Sequence, residues 1–222
     1  MSTNNKFSFR ALKALTYTVL SKAIIDAVIL VSTMTDSNVL LTITQAAEFI
    51  CIVACVMCLG GVVSLSGKFN TVRRIMVFVL ILDCITLLLI MFEMRMLISG
   101  YSAAGDFESI ALVSFAAERL LIGAAFLFLM KGFGEILRKE GDDASATDSE
   151  RLGMIYLFSN SSAAILAAFV VTTGKAPLIA ASAVFELAGV ILELLMYRRV
   201  SGTALLLWRK RAGVTDRRNG LP

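Results

Sequence analysis

Histidine does not occur anywhere in the 222 residues, and that absence removes several chemistries at once. Haem held by imidazole, His-dependent zinc hydrolysis, and serine or cysteine nucleophiles activated by imidazole all require it. No Gly-x-Gly-Asp stretch and no nucleophile beside a base is visible, so an intramembrane enzyme is disfavoured and no cofactor is expected. There are only four cysteines, Cys51, Cys55, Cys58 and Cys84. All lie inside apolar runs, where an oxidising compartment has no outer loop in which to form a structural disulfide. Nothing between those runs is long enough to hold a soluble domain, so function is expected in the bilayer or through a partner.

What the chain does have is apolar length. Apolar residues make up 58% of the sequence and mean hydropathy is +0.82, against roughly 45 to 50% apolar content in soluble domains. About 20 apolar residues cross a bilayer as a helix. Six such runs are present, near 14–34, 39–65, 75–98, 109–131, 152–173 and 177–197. The expected fold is all-α, a single polytopic membrane domain over residues 1–222 with a basic tail at 198–222. The first run is too long for a cleavable signal segment, and Lys22 and Asp26 interrupt it.

Charge sets the expected orientation. Of the 21 Lys and Arg residues, 17 fall in the N-terminus, two inner connections and the tail, with only Arg95 and Lys175 near the opposite face. By the positive-inside rule both termini are cytoplasmic, in the plasma membrane, which requires an even number of spans. The basic segment Ser66–Arg74 reads as an inner connection, and Ser99–Glu108, without Lys or Arg, as an outer loop. Trp208 beside Arg209, Lys210 and Arg211 suits an anionic inner leaflet. These charges have no fold to present them to nucleic acid, so none is expected as a partner. A homo-oligomer or a membrane-complex partner fits the same composition.

Charges inside spans are costly and are functional candidates by default. Glu118 and Arg119 stand near the middle of the fourth run. Ala46-Ala47-Glu48 repeats Ala116-Ala117-Glu118 at a distance of 70 residues, and Glu186 follows 68 residues later. Each of Glu48, Glu118 and Glu186 is about ten residues from the outer start of an even-numbered span. Three loosely repeated helical hairpins with carboxyls at one depth would give that spacing, as would chance matching of Ala-rich helices, since the odd-numbered spans do not repeat cleanly. With Asp26 and Asp83 these make five acids at depth against two bases, Lys22 and Arg119. Lys22 and Asp26, four apart, share a helix face and are expected to pair. Adjacent residues point about 100° apart, so Arg119 is expected to reach Asp83 or Glu48 on another span rather than Glu118. Burial penalises a charged carboxyl, so the surplus acids are expected to take a proton or hold a cation. The leading functional expectation is a protein of transporter or channel type. The alternative is a non-transporting membrane subunit or scaffold that docks a cytoplasmic or membrane partner.

Smaller features complete the reading. Cys51, Cys55 and Cys58 form one stripe with Glu48, a spacing open to a soft metal ion but more usual as packing. Asn160 and Ser161, in the polar knot Ser159-Asn160-Ser161-Ser162, are candidates for helix packing or for ligand binding. Glu93 with Arg95, and Glu193 with Arg198, read as surface pairs near span ends. Residues 141–146 read as a flexible, solvated linker, and Thr147-Asp148-Ser149-Glu150 as a capping box starting the fifth helix at about Asp148. Thr35-Asp36-Ser37-Asn38 and Gly174 with Pro177 read as tight turns.

Overall fold

The computed structural model describes residues 3–35, 38–98, 104–173 and 176–211. They form six helices: α1 (Thr3–Met34), α2 (Asn38–Val62), α3 (Lys68–Ile98), α4 (Ala104–Lys139), α5 (Asp143–Thr173) and α6 (Ala176–Arg211). Each helix packs on its neighbours in the chain, and α6 returns to α1, closing a ring. Short connections make successive helices antiparallel. The start of α1, the end of α6 and the turns at 63–67 and 140–142 therefore share one end of the bundle, the basic end.

Among the described residues, five helices contain stretches long and apolar enough to cross a membrane: Arg10–Ser32, Ile43–Val62, Ala116–Lys139, Asp143–Phe169 and Ala180–Lys210. The exception, α3, carries Arg73, Arg74 and Asp83 along its described side chains. Large apolar side chains such as Ile50, Met57, Phe78, Phe158 and Val184 point outward, a surface that suits hydrocarbon better than water. Hydroxyls inside the helices are satisfied locally, as where Thr16 donates to the Leu12 carbonyl at 3.0 Å and Ser161 to that of Leu157 at 2.7 Å. Apolar surroundings demand this, since an unpaired polar group has no water to turn to.

The core occupies the half of the ring nearest the basic end. Leu12, Leu15, Ile52, Leu59, Phe133 and Met196 are essentially buried. Phe69 meets Phe133 edge to face at a centroid distance of 5.3 Å. The α4–α5 seam is the most extensive in the ring, and small residues let the two backbones approach. A Cβ added to Gly153 would lie 3.0 Å from the Met130 Cβ and 3.1 Å from the Leu127 Cα.

The turns at the basic end explain where the helices begin and stop. Ser66 caps α3, its hydroxyl accepting from the Lys68 N–H at 3.1 Å. At the end of α4, Gly141 adopts φ +84°, the left-handed conformation that glycine takes most cheaply. The Asp142 N–H then reaches the Leu137 carbonyl at 3.0 Å and the Gly141 N–H that of Arg138 at 3.0 Å, closing the helix in a Schellman turn. Asp142 starts α5 by accepting from the Ser145 N–H at 3.0 Å.

Several boundary expectations are corrected by these turns. The fifth helix starts at Asp143 rather than Asp148, because Asp142 supplies the cap, and Thr147 donates back to the Asp143 carbonyl instead of opening a capping box. Residues 143–146 are therefore helix and not a flexible linker. Most of Ser66–Arg74 is the first part of α3, and residues 104–108 of the expected outer loop belong to α4. The basic tail is helical as far as Arg211, because Val200, Thr203, Ala204 and Leu207 continue a buried stripe. Pro177 falls in the first turn of α6, where its missing N–H costs nothing. Asp36, Ser37, Gly174 and residues 212–222 lie outside the described residues, as do the side chains of Glu93 and Arg95.

Candidate functional site

Every helix of the ring contributes a polar or charged side chain to the interior above the apolar core. The best-paired part begins on α1. Lys22 and Asp26 are one turn apart, and the Lys22 ammonium donates to the Asp26 carboxylate. The same ammonium lies 2.9 Å from the Glu48 carboxylate on α2, so one cation binds two acids and fastens two helices. Their side chains are 4%, 9% and 15% exposed for Lys22, Asp26 and Glu48, a depth at which unpaired charge is strongly unfavourable. Cys51, one turn along from Glu48, donates its thiol to the Thr18 carbonyl at 3.4 Å and tightens the same seam.

The second part joins α5 and α6. The Tyr156 hydroxyl donates to Glu193 Oε1 at 2.5 Å, and both side chains are fully enclosed. Glu193 Oε2 is buried with no hydrogen-bond partner among the described residues. The Asp26 carboxyl is an electrostatic neighbour of this side chain, and as carboxylates the two can only accept hydrogen bonds, so neither satisfies the other.

The third part lies between α3 and α4, where the half-buried Asp83 and Glu118 carboxyls are electrostatic neighbours. Arg119, the next residue, has Asp26, Glu48 and Glu186 among its electrostatic neighbours, and Glu118 feels its charge as well. Glu48 and Glu186 are thus electrostatic neighbours of Arg119, and Glu48 and Asp83 of Glu118. Asn160 on α5 donates to the Arg119 carbonyl at 2.5 Å and Ser159 to the Phe185 carbonyl at 3.0 Å. These bonds fix α5 against α4 and α6. Ser161 bonds within its own helix.

Exposure grades the site. Lys22, Asp26 and Glu193 are buried, while Glu48, Asp83, Glu118 and Glu186 are half-buried. A cavity of about 20 Å³ touches Lys22, Thr18 and Cys51, room for about one water molecule. Beneath it the apolar core closes the ring. Among the described residues no group of three or more His, Cys, Asp or Glu side chains is arranged to hold a metal ion. Cys55 and Cys58 pack against the core and Cys84 is exposed.

Comparison of the chain with protein-family models, curated proteins and solved structures finds no match. The site has to be understood from its own chemistry.

One member escapes a reading of the sequence. Glu193 is not a surface partner of Arg198; it is 0% exposed and bonded to Tyr156. The reason is the length of α6, which continues to Arg211 and places Glu193 mid-helix rather than near an end. A signal was available: Glu193 is seven residues after Glu186 and shares a stripe with Val190, Met196 and Val200, all buried. The Glu48–Lys22 bridge is tertiary and has no counterpart in local spacing.

Proposed function

We propose that this chain is a six-span protein of the plasma membrane, with both termini cytoplasmic, of transporter or channel type, and that its acidic interior binds or relays a proton or small cation. The observation that carries this reading is the charge balance. Among the described residues, Asp26, Glu48, Asp83, Glu118, Glu186 and Glu193 have Lys22 and Arg119 as the bases within the spans. Four carboxyls therefore exceed the available side-chain cations, in surroundings where an uncompensated charge costs several kcal/mol. Protons or a bound cation are the remaining means of neutralising them. The half-buried set, Glu48, Asp83, Glu118 and Glu186, is the accessible part of the site, and the Asp83–Glu118 pair is where an exchanging proton would reside. In this reading α3 is the sixth span, its apolar run extending over 75–98, and α1–α2, α3–α4 and α5–α6 are three hairpins of a loose repeat. The test is flux in proteoliposomes. Glu118→Gln should stay folded and lose pH-dependent cation or proton movement that the wild type shows. Equal flux in the two proteins would overturn the assignment of Glu118.

A second reading rests on the basic half of the ring, which is packed shut and held by ion pairs between helices. Arg138 meets Glu150 at 2.7 Å, Lys210 meets Glu140 at 2.7 Å and Arg199 meets Asp148 at 3.4 Å. Such a clasp fits a membrane subunit or scaffold whose buried charges set helix register. Absence of flux in the wild type over a broad cation screen would favour it.

A further inference from the structure

At the basic end a crevice of about 560 Å³ opens between α5, α6 and the end of α4. Its lining has two characters. One part holds three guanidinium groups, Arg151 on α5 and Arg198 and Arg199 on α6; the other holds Ile155 and Leu195. Arg199 lies 3.4 Å from Asp148. Asp142, the other acid at the crevice, caps α5, and hydrogen bonds from Ser145 hold its carboxyl below the usual carboxylate range. The acids of the lining are therefore engaged. Arg151 and Arg198 are exposed, and among the described residues neither has an ion-pair partner.

Their neighbours along each helix give the crevice a direction. Ile155 follows Arg151 by one turn and is 55% exposed, and Leu195 precedes Arg198 by about one turn and is 45% exposed. In a bundle that crosses a membrane, this order puts cationic groups at headgroup level and bare apolar side chains at the level of the acyl chains.

We propose that this crevice binds one anionic phospholipid, with its phosphate between Arg151 and Arg198 and an acyl chain along Ile155 and Leu195. Guanidinium forks match phosphate oxygens two at a time, and basic pockets between membrane helices are suited to anionic headgroups. The volume is that of a small-molecule site. A free phosphate would occupy the polar part alone and leave the apolar part bare. The proposal depends on the membrane reading of the fold but not on the acidic interior, so the two stand or fall separately.

The test uses the full chain, purified in a non-ionic detergent, with melting temperature followed against added phosphatidylglycerol, phosphatidylcholine or glycerol phosphate. Phosphatidylglycerol should raise it saturably, and the other two should not. The double variant Arg151→Gln, Arg198→Gln should need at least about tenfold more phosphatidylglycerol for the same shift, while Arg209→Gln, on the exposed end of α6, should match the wild type. An equal loss in Arg209→Gln would mean diffuse attraction and overturn the site. Equal stabilisation by glycerol phosphate would overturn the lipid assignment in favour of a soluble phosphate. A photoactivatable phosphatidylglycerol on the wild type gives a readout that needs no variant to fold. Cross-links should map to residues 148–155 and 195–199, and cross-links confined elsewhere would refute the proposal.

Discussion

Replacing Lys22 with methionine keeps much of the side chain's volume and removes the one ammonium that holds both Asp26 and Glu48. The bridge is deep, with side-chain exposures of 4%, 9% and 15% for the lysine, the aspartate and the glutamate. Breaking a buried pair by removing one partner costs roughly 3 to 5 kcal/mol, because the other charge is left uncompensated. For a chain of 222 residues each kcal/mol moves the melting temperature by about 2 to 4 °C. Lys22→Met should therefore melt roughly 6 to 20 °C below the wild type in detergent. The shift should fall toward the lower limit if the stranded carboxyls take up protons. Adding Asp26→Asn removes one of the two stranded charges, so the double variant should recover part of the loss, a non-additivity that a double-mutant cycle reads directly. A Lys22→Met protein melting within about 2 °C of the wild type, less than about 1 kcal/mol, would refute the view that this lysine anchors the acidic centre.

Other expectations follow from the same geometry. Arg119→Ala should lower thermal stability in detergent more than Glu118→Gln, since the first takes a cation from among Asp26, Glu48 and Glu186 and the second leaves a neutral hydrogen-bonding group; the reverse order in a melting assay would contradict this. Tyr156→Phe removes the hydroxyl that donates to a fully buried Glu193 and should cost about 1 to 3 kcal/mol, measured as a melting shift that is absent when Glu193→Leu is already in place. Replacing Cys51, Cys55 and Cys58 together with alanine should leave folding intact and leave any metal content of the purified protein unchanged; loss of stoichiometric copper or zinc would make metal binding primary. Asp142 caps α5 as a carboxylate and is held below the usual range. Its contribution is present above the ordinary carboxyl pKa and lost as pH falls through the lowered value, so the protection of the Ser145 amide hydrogen, taken relative to its intrinsic exchange rate at each pH, should fall only in acid, and in Asp142→Ala at every pH.

How much of this was legible depends on whether the signal is local. The apolar runs announce six helices by length alone, and Lys22 with Asp26 is visible as a pair because four residues bring side chains onto one helix face. Helix ends were less legible. Residues 198–211 carry many charges and read as a tail, yet Val200, Thr203, Ala204 and Leu207 keep a helical stripe that packs against the ring. A helix taken to end near residue 197 puts Glu193 close to its limit, whereas one that continues to Arg211 puts it mid-helix. Asp142 is hard to read as a cap because Thr147-x-x-Glu150 offers a capping-box pattern a few residues later, and pattern alone does not say which candidate the preceding turn will deliver. Cross-helix partners such as Glu48 for Lys22, Glu193 for Tyr156 and Asp83 for Glu118 depend on the order of helices around the ring. No spacing within one helix encodes that order.

The central claim is that the interior holds more carboxyls than cations and neutralises the surplus with exchangeable protons or a bound cation. Infrared difference spectroscopy on the reconstituted protein, taken through a pH titration and again with added monovalent and divalent cations, reads those carboxyls directly. Carboxyl bands should change with pH or with one of the cations, and part of the change should vanish in Glu118→Gln and in Glu193→Gln. Spectra that respond to neither pH nor any cation, or that respond identically in both variants and the wild type, would contradict it.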